Sequence, residues 1–215
     1  MLAAALTVTL AGGCGGGTSG DTQSSAKPPD ALLHPTRLTR RAPRVFHVTF
    51  HTTKGDFVLT VHRGWAPKGA DRLYELAKSH FFDGAKFFRV VPGFVVQFGI
   101  SPEPAVSTAW RDATIPDDAV KAHNVRGAVS FAAAGPNTRT TQIFVNLGNN
   151  RRLDGLGFAP VGSVTSGMGV VDQLYSGYGE QPTARQAEMQ LEGNSWLEKH
   201  YPKLDAIKST SISGA

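Results

Sequence analysis

Residues 87–99 read Phe87-Phe88-Arg89-Val90-Val91-Pro92-Gly93-Phe94-Val95-Val96-Gln97-Phe98-Gly99, two short apolar runs on either side of a Pro-Gly turn. Runs of this kind, 86–91 and 94–98, predict two strands, and strand side chains alternate between faces. Arg89, Val91, Val95 and Gln97 can then share one face across the turn. A charge set among apolar neighbours is costly unless it has a partner, so Arg89 needs a reason to be there. Taken alone, a satisfied structural ion pair explains such an arginine better than a catalytic task does.

The pattern extends in both directions. Upstream, Phe46, Val48 and Phe50 alternate within 45–51, and Phe57, Leu59 and Val61 alternate after Lys54-Gly55, which predicts a β-hairpin. Pro67 opens a predicted helix whose apolar stripe is Ala70, Leu73, Leu76 and Ala77. Downstream, 99–126 is long, polar and proline-bearing and reads as a surface excursion. Strand-like runs resume at 128–132, 142–147 and 158–164. A short helix is expected near 168–175 with Gly177 as its cap, another over 192–201, and a closing strand over 205–212. Many short strands with few helices predict a mainly β domain over 44–215, a closed antiparallel barrel capped by helices.

The chain has 215 residues, 40% hydrophobic and 18% charged, with a net charge of +5. One domain plus an appendage fits that length. The basic residues are scattered rather than grouped, which argues against nucleic acid as a partner. Cys14 is the single cysteine, so no internal disulfide can form. It follows an apolar stretch, 2–11, that is too short to span a bilayer as a helix but suits a signal-peptide core. Leu10-Ala11-Gly12-Gly13-Cys14 resembles a bacterial lipobox, with 1–13 as signal peptide and Cys14 as the lipidated residue. Residues 15–27 are rich in Gly, Ser and Thr, and prolines continue the irregular region, so 14–43 is expected to be a flexible tether. The product would be exported, held in the cell envelope by its lipid alone. Of the seven histidines, His47 and His51 share a strand face but stand ~13 Å apart, too far for one ion. No metal and no cofactor is expected.

Three blocks in order make the 87–99 segment more specific. The segment itself, then Ser130-Phe131-Ala132-Ala133-Ala134-Gly135-Pro136-Asn137-Thr138-Arg139-Thr140-Thr141-Gln142-Ile143-Phe144, then Leu153-Asp154-Gly155 with Phe158-Ala159-Pro160-Val161-Gly162, resemble the signatures of the cyclophilin-type peptidyl-prolyl cis/trans isomerases. The likeness runs from about 45 to 175 and is nearer to bacterial members than to eukaryotic ones. It implies an eight-stranded antiparallel barrel closed by two helices, with the groove on its outer face. It implies that Arg89 is the catalytic arginine and Gln97 its polar companion in the groove. Phe94, Val95, Phe144 and Leu153 would line the proline pocket, Gln142 would be a second polar groove residue, and Ala133 would offer backbone hydrogen bonds. The chain departs from the family pattern at Phe88 (often histidine), Val95 (often methionine) and Arg152 (often tryptophan), and Phe158 stands where a pocket-edge histidine is usual. The implied partners are proline-containing polypeptide segments, met by a monomer.

Two other readings use the same residues: a module that holds proline segments with little turnover, and an envelope chaperone for which isomerisation is incidental. A hydrolase is disfavoured, because no Ser, His and Asp surround a nucleophile turn. If Cys14 carries lipid, Cys14→Ser should move the protein from the membrane to the soluble fraction, and unchanged membrane association would refute the lipoprotein reading. The domain from 44 onward is expected to fold without anything before it.

Overall fold

Alternation does the first work. In β1 (Val45–Thr52), Phe46, Val48 and Phe50 are fully buried, and β2 (Gly55–His62) turns Phe57, Leu59 and Val61 to the same side. The two strands pair antiparallel from Val45↔His62 to Thr52↔Gly55. Thr52 closes the turn between them, donating its hydroxyl to the Gly55 carbonyl at 2.6 Å. The computed structural model describes residues 30–214, so the expected signal peptide and Cys14 lie outside the described residues.

Six more strands complete one antiparallel sheet: β3 (Arg89–Val91), β4 (Val95–Phe98), β5 (Ala128–Phe131), β6 (Ile143–Asn146), β7 (Pro160–Ser166) and β8 (Ile207–Ser213). Their order is β3-β4-β6-β5-β7-β2-β1-β8. The sheet curls around a core in which Phe50 stacks on Phe57 at 4.8 Å and meets Phe98 edge-on at 5.5 Å, while Phe87 meets Phe98 at 5.0 Å. Such aromatic contacts add to the area they bury.

The expected closed barrel is corrected to an open one. β3 and β8 are free edges that meet only at an isolated bridge, Lys86↔Ala206, flanked by Phe87 N–H to Asp205 O at 3.0 Å and Ile207 N–H to Ala85 O at 2.9 Å. The cause lies in the partner chain. Asp205 is the last residue to pair, with Phe87, and just ahead of it the chain turns, with Leu204 N–H to Tyr201 O at 3.1 Å, so no strand is left opposite Phe88 and β3.

The expected two capping helices become five α-helices among the described residues. α1 (Pro67–Lys78) carries proline at its start and buries Ala70, Leu73, Leu76 and Ala77 as the pattern requires. The 99–126 excursion is less exposed than expected, because α2 (Pro104–Trp110) buries Val106 and Trp110. Arg72 lies 5.0 Å above the Trp110 ring and donates to the Ala113 and Thr140 carbonyls at 2.6 and 2.9 Å. Burial, and then the neighbouring Arg139 charge, bring its pKa down to about 10. Arg139, also buried, donates to Asp118 at 3.1 Å and to the Pro116 carbonyl, which fixes the excursion from below. After α3 (Met168–Asp172), the helix expected over 192–201 is α5 (Asn194–His200), and a helix not expected from sequence, α4 (Gln186–Glu192), precedes it. Gly193 between them has φ +64°, and a Cβ there would strike the Pro102 backbone.

The boundary expected at residue 44 falls too late. Residues 30–43, assigned to the tether, include two 3-10 turns, Asp30–Leu33 and Pro35–Arg37, and bury Leu32 and Ala42. The Trp110 indole donates to the Leu32 carbonyl at 2.8 Å, Ala42 N–H donates to Asp71 at 2.8 Å, and Arg40 pairs with the buried Glu75 at 3.7 Å. A chain beginning at residue 44 should therefore be less stable by about 2–4 kcal/mol, from one lost leucine and two lost hydrogen bonds. Its Tm should drop by roughly 5–15 °C. Equal melting curves would show that this arm contributes nothing.

Candidate active site

β3 and β4 pair through Arg89↔Gln97, Val90↔Val96 and Val91↔Val95. The turn between them needs Gly93, at φ +74°, and closes with Phe94 N–H to Val91 O at 2.9 Å. Alternation then divides the strands. Val90, Val96 and Phe98 join the main core, while Val95 belongs to a separate apolar cluster with Phe144 and Leu153. β6 contributes Phe144 directly opposite Gln97. Phe94, Ala132 and Phe158 pack around that cluster.

These groups enclose a cavity of about 210 Å³ lined by Arg89, Phe94, Val95, Gln97, Ala132, Ala133, Phe144, Leu153, Phe158, Thr183 and Gln186. Of the residues singled out from sequence, Gln142 alone stands outside it. Gln142 lines a neighbouring cavity of about 340 Å³ together with Gln97, Ala132 and Ala133. A chain of hydrogen bonds joins the two cavities: Arg89 Nη1 donates to Gln97 Oε1 at 3.2 Å, Gln97 Nε2 to Gln142 Oε1 at 2.8 Å, and Gln142 Nε2 to Gln186 Oε1 at 2.9 Å. Arg89 Nη2 donates to Glu180, and Arg89 Nε is buried without a hydrogen-bond partner. The guanidinium also lies 5.3 Å from the Phe94 ring centre, with Arg152 at 4.9 Å from the same ring. Among the described residues no group of three or more His, Cys, Asp or Glu side chains could hold a metal ion.

A buried amide network sets the cavity's backbone. Asn124, fully buried, donates from Nδ2 to Asp154 at 2.8 Å and to the Phe158 carbonyl at 2.7 Å. Its side-chain oxygen accepts from Ser130 at 2.8 Å and from Asn146 at 3.2 Å. Asn150 Nδ2 donates to the Phe94 carbonyl and to Asn146, each at 2.8 Å. One set of amides therefore holds Phe94 and Phe158 in position, and it anchors the 3-10 turn Arg151–Leu156 that carries Leu153. Sequence reasoning missed these asparagines: Asn124 and Asn150 lie in stretches without apolar period, and Asn146 sits unmarked inside the apolar run 142–147. It also missed Glu180, Thr183 and Gln186, which come from a segment without a local signal.

The site and the fold together define a curled antiparallel sheet with an apolar cleft on its outer face and one guanidinium at the cleft's edge. The family model for cyclophilin-type peptidyl-prolyl cis-trans isomerases matches residues 47–192, and the chain belongs to that family. Peptidyl-prolyl cis-trans isomerase-like 3 of Mus musculus is 34% identical over 131 residues, 59% of this chain and 80% of its own length. Peptidyl-prolyl cis-trans isomerase B of Escherichia coli is 30% identical over 136 residues, 59% of this chain and 82% of its own. The fold is shared with a cyclophilin-type isomerase of Cryptosporidium parvum, at TM-score 0.59 and 18% identity over 80% of this chain and 99% of that one. A further structure described as that isomerase in the presence of the dipeptide Ala-Pro aligns with TM-score 0.58 and 18% identity over 79% of this chain and 99% of that one.

Asp154 gives the site a pH signature. Burial pushes its carboxyl up, but two hydrogen bonds from Asn124 and one from His123 outweigh it and hold the group below the usual carboxylate range. A carboxyl lowered in the folded state contributes stability that is complete above its ordinary value near pH 4 and is lost as pH falls through the folded value. Below about pH 4 the Tm of the wild type should fall more steeply than that of Asp154→Asn, which cannot titrate. Parallel Tm–pH curves would remove Asp154 from the acid response.

Proposed function

We propose that this chain accelerates rotation about Xaa-Pro peptide bonds with Arg89 as the catalytic group, Gln97 as its holder, and Phe94, Val95, Phe144, Leu153 and Phe158 as the seat of the proline ring. One observation carries the reading: a half-buried guanidinium with an unpartnered Nε–H stands at the edge of a cavity whose walls include Phe94, Val95, Phe144, Leu153 and Phe158. An unfilled buried donor costs roughly 1–3 kcal/mol, a cost that a ligand's acceptor can remove.

The chemistry asks for little else. Amide resonance sets a barrier of ~18–20 kcal/mol to rotation, and no bond is broken in crossing it. When the amide twists, the nitrogen lone pair leaves conjugation and becomes a hydrogen-bond acceptor. A fixed guanidinium donor meets that lone pair in the twisted state and has no equivalent partner in the planar one, which is the condition for catalysis. The apolar walls favour the twisted state as well, because it has less charge separation. Ala133, at the cavity wall, would offer backbone hydrogen bonds to the peptide, and Gln142 would extend the polar edge. The clients would be proline-containing chains folding in the cell envelope, a setting supported by the signal-like stretch before Cys14.

A module that only held proline segments would use the apolar cavity and be indifferent to the arginine. Arg89→Ala should lower kcat/KM on an Xaa-Pro peptide by about 10²–10³, the scale for one lost transition-state donor. Arg89→Lys should recover little, since an ammonium lacks the planar fork. Peptide affinity should fall much less than turnover. With no proton transferred, the rate should stay nearly flat between about pH 6 and 8. Full activity in Arg89→Ala would overturn the assignment.

A further inference from the structure

Residues 176–193 have no part in the chemistry just described, yet they lie along the cleft. Glu180 sets its carboxylate against Arg89 Nη2, Thr183 and Gln186 line the proline cavity, and Gln186 accepts from Gln142. The segment is anchored from behind. Pro182 is buried, and Met189 is fully enclosed in an apolar cluster with Phe88, Ile100, Leu197 and Leu204. Tyr178 sits edge-on to Tyr175 and to Tyr201, at 5.0 Å each. Phe88 is the residue immediately before Arg89, so the strand entry that carries the arginine also holds the segment that contacts it.

We propose that this segment is a fixed wall of the active groove and that Glu180 is a positioning residue, which together with Gln97 grips the two terminal nitrogens of the Arg89 guanidinium. The inference rests on the isomerase reading above. Within the cleft, Gln97 offers one neutral acceptor at 3.2 Å and the Phe94 ring lies 5.3 Å from the guanidinium, neither of which holds the second terminal nitrogen. A charged acceptor on that nitrogen fixes the guanidinium plane, and a donor already aligned needs no reorganisation when the amide twists. A movable lid would show a loosely held backbone. Here Gln181 N–H donates to Tyr178 O at 3.0 Å and Thr183 N–H to Glu180 O at 2.9 Å, which ties the turn to the tyrosine cluster.

The test is turnover of an Xaa-Pro peptide by the full chain, measured by NMR exchange. Glu180→Ala should lower kcat by roughly two- to fivefold, the range of one partly exposed ion pair. KM and Tm should stay close to wild type, because the Glu180 side chain is 60% exposed. Glu180→Gln, which keeps an acceptor without charge, should lose less. In an Arg89→Ala background Glu180→Ala should cost nothing more, and in the single variant the Arg89 Nε–H resonance should shift even without peptide. An unchanged or increased kcat in Glu180→Ala overturns the proposal, the increase marking the carboxylate as a competitor of substrate. An undiminished loss in the Arg89→Ala background overturns it too. A wild-type chain that turns nothing over would instead refute the isomerase reading, and an unmoved Arg89 resonance would refute the contact on its own.

Discussion

All four side chains of β4 are buried, although the strand lies in a sheet with one face turned outward. The groove depends on that constraint. Val96 and Phe98 are covered by the main core, as an inner face should be. Val95 and Gln97 are covered from outside, by Phe144, Leu153 and the segment that carries Gln186. An outer cluster of this kind leaves a cleft wherever its members do not meet. The one strand partner that brings a charge to this face, Arg89, is the residue directly across from Gln97. The cleft and its cation are therefore consequences of a single antiparallel register set by the Pro92-Gly93 turn.

What could be read from sequence was whatever repeats over two to four residues. The β1–β2 hairpin, the stripe of α1 and the shared face of Arg89 and Gln97 all rest on such periods. The partition of β4 into two buried faces is harder, because an apolar run gives no sign of which neighbours are core and which are cleft. The three-block resemblance supplied that distinction. Contacts made by distant chain were not legible. Nothing around Leu32 announces that Trp110 will donate to its carbonyl, seventy-eight positions away. Gly193 was hidden inside a helix-like stretch until its positive φ divided α4 from α5. The open edge of the sheet was likewise unreadable, since it follows from the turn over 201–204 that takes the partner chain away from β3.

Polar groups do much of the holding in this molecule, and they do it in networks. Arg139 and Asp118 fix the excursion, with both side chains almost wholly buried. Asp71 accepts a two-point contact from Arg63 at 2.7 and 2.8 Å and a third bond from Ala42, so helix, strand end and N-terminal arm meet at one carboxylate. Burial raises the Asp71 carboxyl, but those bonds prevail and leave it lowered. Breaking the Arg139–Asp118 pair would leave a buried charge without that partner, which costs more than the intact pair contributes. The Asn124–Asn146–Asn150 amides serve the cleft in the same way without a charge. They fix loops, which have few apolar contacts of their own, relative to strands that have many.

The positions where the chain departs from its family's pattern test how a groove of this kind is specified. Phe88 has become part of the second core, and that core anchors the wall that reaches Arg89. Arg152, itself exposed, sets its guanidinium 4.9 Å from the centre of the Phe94 ring while keeping its charge in water. Phe158 meets Phe144 edge-on at 5.7 Å and closes the cleft with apolar surface. Arg152 and Phe158 thus contact the aromatic rings of the cleft itself, while Phe88 packs away from it in the second core. What packs behind the cleft is shared with the second core: α4 brings Gln186 to the cavity wall while its Met189 is enclosed with Phe88.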